Sequence, residues 1–137
     1  MAEVDVIYSK ITIVKNCLNA IERAKLEEKD PFFLQNIYEL NLQRAIQACI
    51  DMANVVIAKE GLGLPSTYRQ SFNLLGNNHI ITPDLQEKLI KMVGFRNISV
   101  HDYSEVKPEI IHSIVAKNLT DFESFYTLIY NYVQKWS

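Results

Sequence analysis

The apolar positions at the start of the chain recur every three or four places. Val4, Ile7, Ile11, Val14, Leu18 and Ile21 fall on one face of a helix predicted over about residues 3–27. Glu27, Glu28, Lys29 and Asp30 interrupt the pattern, and Asp30-Pro31 restarts it. Aspartate is a strong N-cap, and proline at the first helical position lacks only an N–H that has no helical partner there. In the second helix Tyr38, Leu42, Ala45, Cys49, Met52 and Val56 alternate by four and three to about Glu60, where Gly61, Gly63 and Pro65 stop it. A short helix is predicted from Ser66 or Thr67 to about Leu75, with Gly76 just past its end. Thr82-Pro83 repeats the cap-and-proline device for a helix that carries Leu85, Leu89, Met92 and Val93 toward residue 100. Lys107-Pro108 opens the last helix, whose face is Val115, Leu119, Phe122, Tyr126, Ile129 and Val133. No segment alternates with the period of two that marks a strand. Elongated helices with short joints make an up-down antiparallel bundle. The fold expected is therefore all-α, four long helices plus a short one, in a single domain over residues 1–137.

Composition supports that picture and narrows the partners. A chain of 137 residues with 48% apolar residues buries a core without help from metal or disulfide. Its net charge of −2 is too small, with that apolar content, for a disordered chain. Four Gly and four Pro are too few for the frequent turns of a β-sandwich. Fourteen Lys and Arg against sixteen Asp and Glu leave no basic excess, so broad phosphate-coat binding is excluded and no DNA partner is expected. Any nucleic acid has to be held by a few local cations. The longest apolar run, near Val55–Ala58, is far short of the ~20 residues a membrane helix needs. The first residues carry no cationic head or apolar signal core, so a cytoplasmic location is expected. Cys17 and Cys49 stand far apart inside apolar stretches and read as buried reduced thiols. No His, Cys, Asp or Glu set has zinc spacing, and the Gly61-Leu-Gly segment lacks the Gly and Lys of a phosphate loop. No metal or cofactor is expected.

The chemistry is concentrated in residues 94–103, Gly-Phe-Arg-Asn-Ile-Ser-Val-His-Asp-Tyr. Arg96 is a permanent cation whose planar fork fits phosphate oxygens. His101 can move a proton near neutral pH. Together they are the parts needed to cleave RNA without a metal: the imidazole takes or supplies a proton, and the guanidinium stabilises charge on pentavalent phosphorus. Tyr103 can position a phosphate or be modified. On spacing alone, an Arg, a His and a Tyr in a row are usually solvated or structural. On a straight helix Arg96 and His101 sit ~140° apart, so convergence needs a bend or helix end between them, or a two-fold dimer that doubles each group. Asp102 is a candidate to orient an imidazole or a solvated carboxylate. Asn97 is a candidate phosphate contact or a helix-end hydrogen bonder. Ser99 reads as a helix-terminal hydroxyl. In the second helix Arg44, Gln47, Asp51 and Asn54 form a polar line that is either a solvent face or the wall of a cleft. Within it Arg44 is the candidate to pair with Asp51 or hold a phosphate. His79 and His112 are poor candidates, and the aromatic residues Phe122, Phe125, Tyr126, Tyr130 and Tyr132 read as packing.

The string Arg96-x4-His101-Asp102-Tyr103 resembles the signature of HepT-like toxins in the HEPN superfamily. The resemblance runs along nearly the whole chain. It includes the Leu42-Gln-Arg-Ala-Ile-Gln-Ala-Cys-Ile-Asp-Met-Ala run, the Gly61-Leu-Gly-Leu-Pro loop, the Ser71-Phe-Asn-Leu-Leu stretch and Leu119-Thr-Asp-Phe. It implies a homodimeric, all-helical, metal-independent endoribonuclease toxin. In such a toxin the Arg and His matched here by Arg96 and His101 carry cleavage in a cleft where two protomers meet. It implies as partner a nucleotidyltransferase antitoxin of the MntA type, which places AMP on the tyrosine matched by Tyr103. Added phosphate and bulk there silence the cleft by repulsion and occlusion.

Three readings follow. The first is the endoribonuclease toxin. The second is a non-catalytic HEPN helical module that binds nucleotide or a nucleotidyltransferase partner through the same cluster. The third is a structural dimerisation bundle. RNA turnover that depends on His101 separates the first from the others.

Overall fold

Three of the helices begin where a side chain captures backbone N–H groups that have no helical acceptor. The Asp30 carboxylate accepts from the N–H groups of Phe32 at 2.8 Å and Phe33 at 3.3 Å. Thr67 Oγ1 accepts from Gln70 N at 3.1 Å, and Thr82 Oγ1 accepts from Leu85 N at 3.2 Å. Gly61 closes the second helix in the left-handed conformation, φ 64° and ψ 41°, and donates to the Ile57 carbonyl. The computed structural model describes residues 2–101 and 106–136. Over them run α1 Ala2–Glu27, α2 Pro31–Glu60, α3 Tyr68–Asn77, α4 Pro83–His101, α5 Pro108–Lys117 and α6 Leu119–Val133, followed by a 3-10 turn at Gln134–Trp136. No strand occurs among the described residues.

The helix α2 is the axis of the molecule. It packs most extensively on α1 and also touches α3, α4, α5 and α6. That role explains why its buried residues, among them Leu42, Ala45, Ile46, Cys49, Ile50, Ala53 and Val56, extend beyond a single stripe. One continuous apolar core joins them to Ile7, Val14 and Ile21 of α1, Phe72 of α3, Leu89 of α4, Ile111 of α5 and Phe122 and Phe125 of α6. Phe72 and Phe125 meet edge to face at 5.7 Å; Phe122 and Phe125 are core and Tyr126 and Tyr132 pack against it as expected, while Tyr130 is exposed. Cys17 and Cys49 are buried free thiols. Burial pushes both thiols upward; the Arg44 guanidinium opposes the rise at Cys17.

Two expectations change. The last helix is not continuous from Pro108 to Val133 but breaks at Asn118, which has φ −121° and ψ 3°. The Asn118 amide donates to Asp121 Oδ2 at 2.9 Å, and Asp121, nearly buried, also receives Lys88 Nζ of α4 at 3.7 Å. A polar side chain that bonds locally competes with the helix, and here it starts a new one. The bundle thus has six helices among the described residues, not five. Gly76 is not the residue past the end of α3; it lies inside that helix. A Cβ there would run into the carboxamide of Gln86, which donates to Asn73 Oδ1 at 2.9 Å. The glycine serves the close approach of α4 to α3. His79, φ 60°, makes the turn after α3.

Candidate active site

An open cleft of about 580 Å³ lies where the end of α4 faces the C-terminal half of α2 and the start of α3. Its lining comprises Arg96, Asn97 and His101 of α4, Asn54 of α2, Tyr68 and Ser71 of α3, and Pro65, Ser66 and Thr67 of the preceding loop. Arg96 and His101 therefore share one cleft. The helix neither ends nor breaks between them, since α4 runs through His101. The side chains solve the angular problem instead. Asn97 and His101, one turn apart, face the cleft side by side. Arg96 lies across Tyr68, with Cζ 4.8 Å from the ring centroid, and its Nη1 donates to Asn97 Oδ1 at 3.1 Å. Ring and carboxamide together turn a long, half-buried side chain toward its neighbours. Asn97 thus holds Arg96 rather than the helix-end backbone.

Ser99 lies in the last turn of α4, as expected of a helix-terminal hydroxyl, and is buried. Its Oγ donates to Glu39 Oε2 at 2.6 Å and accepts from Gln43 Nε2 at 2.5 Å. Glu39 is only 6% exposed, so this chain of polar groups crosses the interior between α2 and α4. Buried polar groups are costly unless satisfied. These are, and they fix the last turn of α4 two residues before His101.

The polar line of α2 divides. Asn54 reaches the cleft, where its Oδ1 accepts from Ser71 Oγ at 2.6 Å. Gln47 donates to Asp51 at 2.9 Å, and Asp51 pairs with Lys10 of α1 at 2.9 Å, not with Arg44. Arg44 is exposed, is not among the cleft-lining residues, and lies near enough to Cys17 to influence its thiol. Asp102 and Tyr103 lie outside the described residues. His112 packs edge to face on Tyr38 at 5.8 Å, away from the cleft lining. Among the described residues no three His, Cys, Asp or Glu side chains gather as metal ligands, and no helix is long and apolar enough to cross a membrane.

Comparison with known proteins decides the family. The profile of the HepT-like ribonucleases matches residues 7–129. The chain belongs to the HepT-like family. A HepT from Shewanella oneidensis named as an mRNA nuclease is 43% identical over 128 residues, 91% of this HepT-like chain and 96% of the relative. A HepT from Aphanizomenon flos-aquae named as a tRNA nuclease is 29% identical over 102 residues, 74% of this chain and 69% of the relative. The solved structure of a tri-AMPylated Shewanella oneidensis HEPN toxin in complex with MNT antitoxin superposes with a TM-score of 0.85 at 43% identity. It covers 91% of this chain and 96% of that one. The all-helical HEPN-like fold expected from the helix pattern and the resemblance is the fold of the molecule.

Proposed function

We propose that this chain is a metal-independent endoribonuclease toxin, acting in the cytoplasm as a homodimer with Arg96 and His101 as its catalytic residues. The observation that carries the reading is the convergence of both side chains on one cleft, with Arg96 held by Tyr68 and Asn97. His101 takes the proton of a ribose 2′-OH, which attacks the adjacent phosphorus, or returns one to the departing 5′ oxygen. Arg96 neutralises the charge that accumulates on the phosphorane oxygens. The products are a 2′,3′-cyclic phosphate and a 5′-hydroxyl. RNA is proposed as the substrate because the relatives are named as mRNA and tRNA nucleases and because internal attack needs a 2′-OH.

A nucleotidyltransferase antitoxin of the MntA type is the proposed partner, in line with the AMPylated toxin–antitoxin complex among the structural relatives. Tyr103 is the proposed acceptor of AMP. Tyr103 follows His101 by two residues in the sequence, so negative phosphate attached there is expected to compete with an RNA phosphate. Dimerisation is supported by exposed apolar residues on the helix that carries Arg96 and His101 and on the helices packed beside its end. Leu40 of α2, Ile98 and Val100 of α4 and Ile110 of α5 are each 45–50% exposed. The Glu39–Ser99 bond and the Tyr38–His112 contact put them at one end of the bundle.

The test is cleavage of a labelled RNA in excess EDTA by unmodified wild type and His101→Ala. Cutting by wild type alone, with cyclic-phosphate ends, is the expected result. Equal behaviour of the two proteins across several RNAs overturns the reading in favour of a nucleotide-binding module.

A further inference from the structure

Catalysis by Arg96 and His101 leaves one wall of the cleft without a task. That wall is Asn54, with Ser71 behind it and the Tyr68–Arg96 stack beside it. Ser71 is 1% exposed and spends its single hydroxyl proton on Asn54 Oδ1 at 2.6 Å. In that pairing the Asn54 oxygen is turned toward Ser71, behind the cleft wall. Among the described residues no protein acceptor meets the Asn54 Nδ2 donors, although the residue is half-buried and lines the cleft. A free asparagine offers a donor and an acceptor together and suits adenine; one whose oxygen is turned to Ser71 presents its donors foremost.

We propose that Asn54 is a base-reading residue: the cleft seats a nucleobase of the RNA strand next to the scissile phosphate, and Asn54 selects keto bases, guanine O6 or uracil O4, over the amino bases adenine and cytosine. The flat Tyr68–Arg96 pair supplies a surface on which a base can stack. At about 580 Å³ the cleft has room for a base beside its phosphate, within the ~300–1,000 Å³ of small-ligand sites. Ser71 is a positioning residue, because it acts only through the Asn54 amide. The inference rests on the ribonuclease reading for its substrate, but not for its test.

Four 2′-O-methyl tetranucleotides that differ at one base resist internal cleavage, so their binding is read whether or not the protein cuts. Full-length wild type, Asn54→Asp, Asn54→Ala and Ser71→Ala are compared by fluorescence anisotropy, after thermal unfolding confirms that each is folded. Cut sites on a long RNA are mapped in parallel. Wild type is expected to bind the guanine and uracil oligonucleotides about three- to tenfold tighter than the others, the range of one net hydrogen bond. Asn54→Asp turns the donor into an acceptor and should invert the ranking even as its charge weakens binding overall. Asn54→Ala should flatten it, and Ser71→Ala should admit adenine by freeing the amide to turn. If one variant fails to fold, the other two still decide the question. Equal binding of all four bases by wild type, or a ranking indifferent to Asn54, overturns the proposal, even where RNA is cut. Binding of free AMP without any oligonucleotide binding also overturns it, since the base would then belong to a mononucleotide. A ranking governed by Asn54 in a protein that cuts no RNA upholds the base site while the nuclease reading fails.

Discussion

Arg96 shows how much a single side chain depends on what lies under it. Its guanidinium is carried across the Tyr68 ring and tied to Asn97, so its place in the cleft is imposed by two neighbours and not by helix geometry. Removing the ring while keeping the bulk should release it. Tyr68→Leu is expected to lower kcat/KM for RNA by roughly 3- to 30-fold, the worth of a partly desolvated cation–π contact. Tyr68→Phe keeps the ring and should restore most of the rate, which a generic loss of packing would not allow. Equal rates for Tyr68→Leu and wild type would remove Tyr68 from the positioning of Arg96. Arg96 and His101 were legible in the sequence as candidates because chemistry and family resemblance coincide on them, and both line the cleft. Tyr68, Ser71 and Glu39 were not. They stand 28, 25 and 57 residues before Arg96, and no local spacing links positions that only tertiary packing brings together. Asn54 was visible as part of a polar line, but nothing along the helix distinguishes the residue that reaches the cleft from Arg44, which does not.

The helices themselves were legible where cap and period agree. Asp30-Pro31, Gly61 and Thr82-Pro83 mark ends by local chemistry that survives in any context. The break at Asn118 was hidden because apolar residues continue at helical spacing on both sides of it, and because the carboxylate that Asn118 holds is also steadied by Lys88 of another helix. The C-terminal turn is fastened by a further long-range contact. Glu60, at the end of α2, accepts from Trp136 Nε1 at 2.8 Å and pairs with Lys135 Nζ at 3.0 Å. These bonds, that from Trp136 foremost, hold its carboxyl below the ordinary value. A carboxyl lowered on folding contributes stability that is complete above its unfolded pKa and fades as pH falls through the folded one. Glu60→Gln should therefore cost about 1 kcal/mol at pH 7. Its deficit against wild type should narrow as pH falls below ~4.3, the unfolded glutamate value. Urea unfolding at several pH values reads this directly; a deficit that stays constant to acid pH would mean the carboxylate charge has no part in the fastening.

For the whole molecule the question is whether one cleft suffices. A chain of net charge −2 has little long-range attraction for RNA, and among the described residues Arg96 is the only Lys or Arg in the cleft lining. Two clefts placed together would double that cation and bring a second His101 near the same phosphate. The surface that permits it is the apolar end of the bundle, where Ile98, 50% exposed, lies on the same helix as both catalytic candidates but outside the cleft lining. An aspartate there would bury an unpaired charge in the dimer while leaving the monomer core untouched. Ile98→Asp is thus expected to turn a particle of twice the 15.8 kDa chain mass into a monomer in light scattering, with unchanged helix content. RNA cleavage by that monomer should fall at least tenfold, and wild type should lose specific activity on dilution through its dissociation range. A monomeric Ile98→Asp that cuts at the wild-type rate would place the complete site within one protomer, and would leave the apolar end free to serve the antitoxin instead.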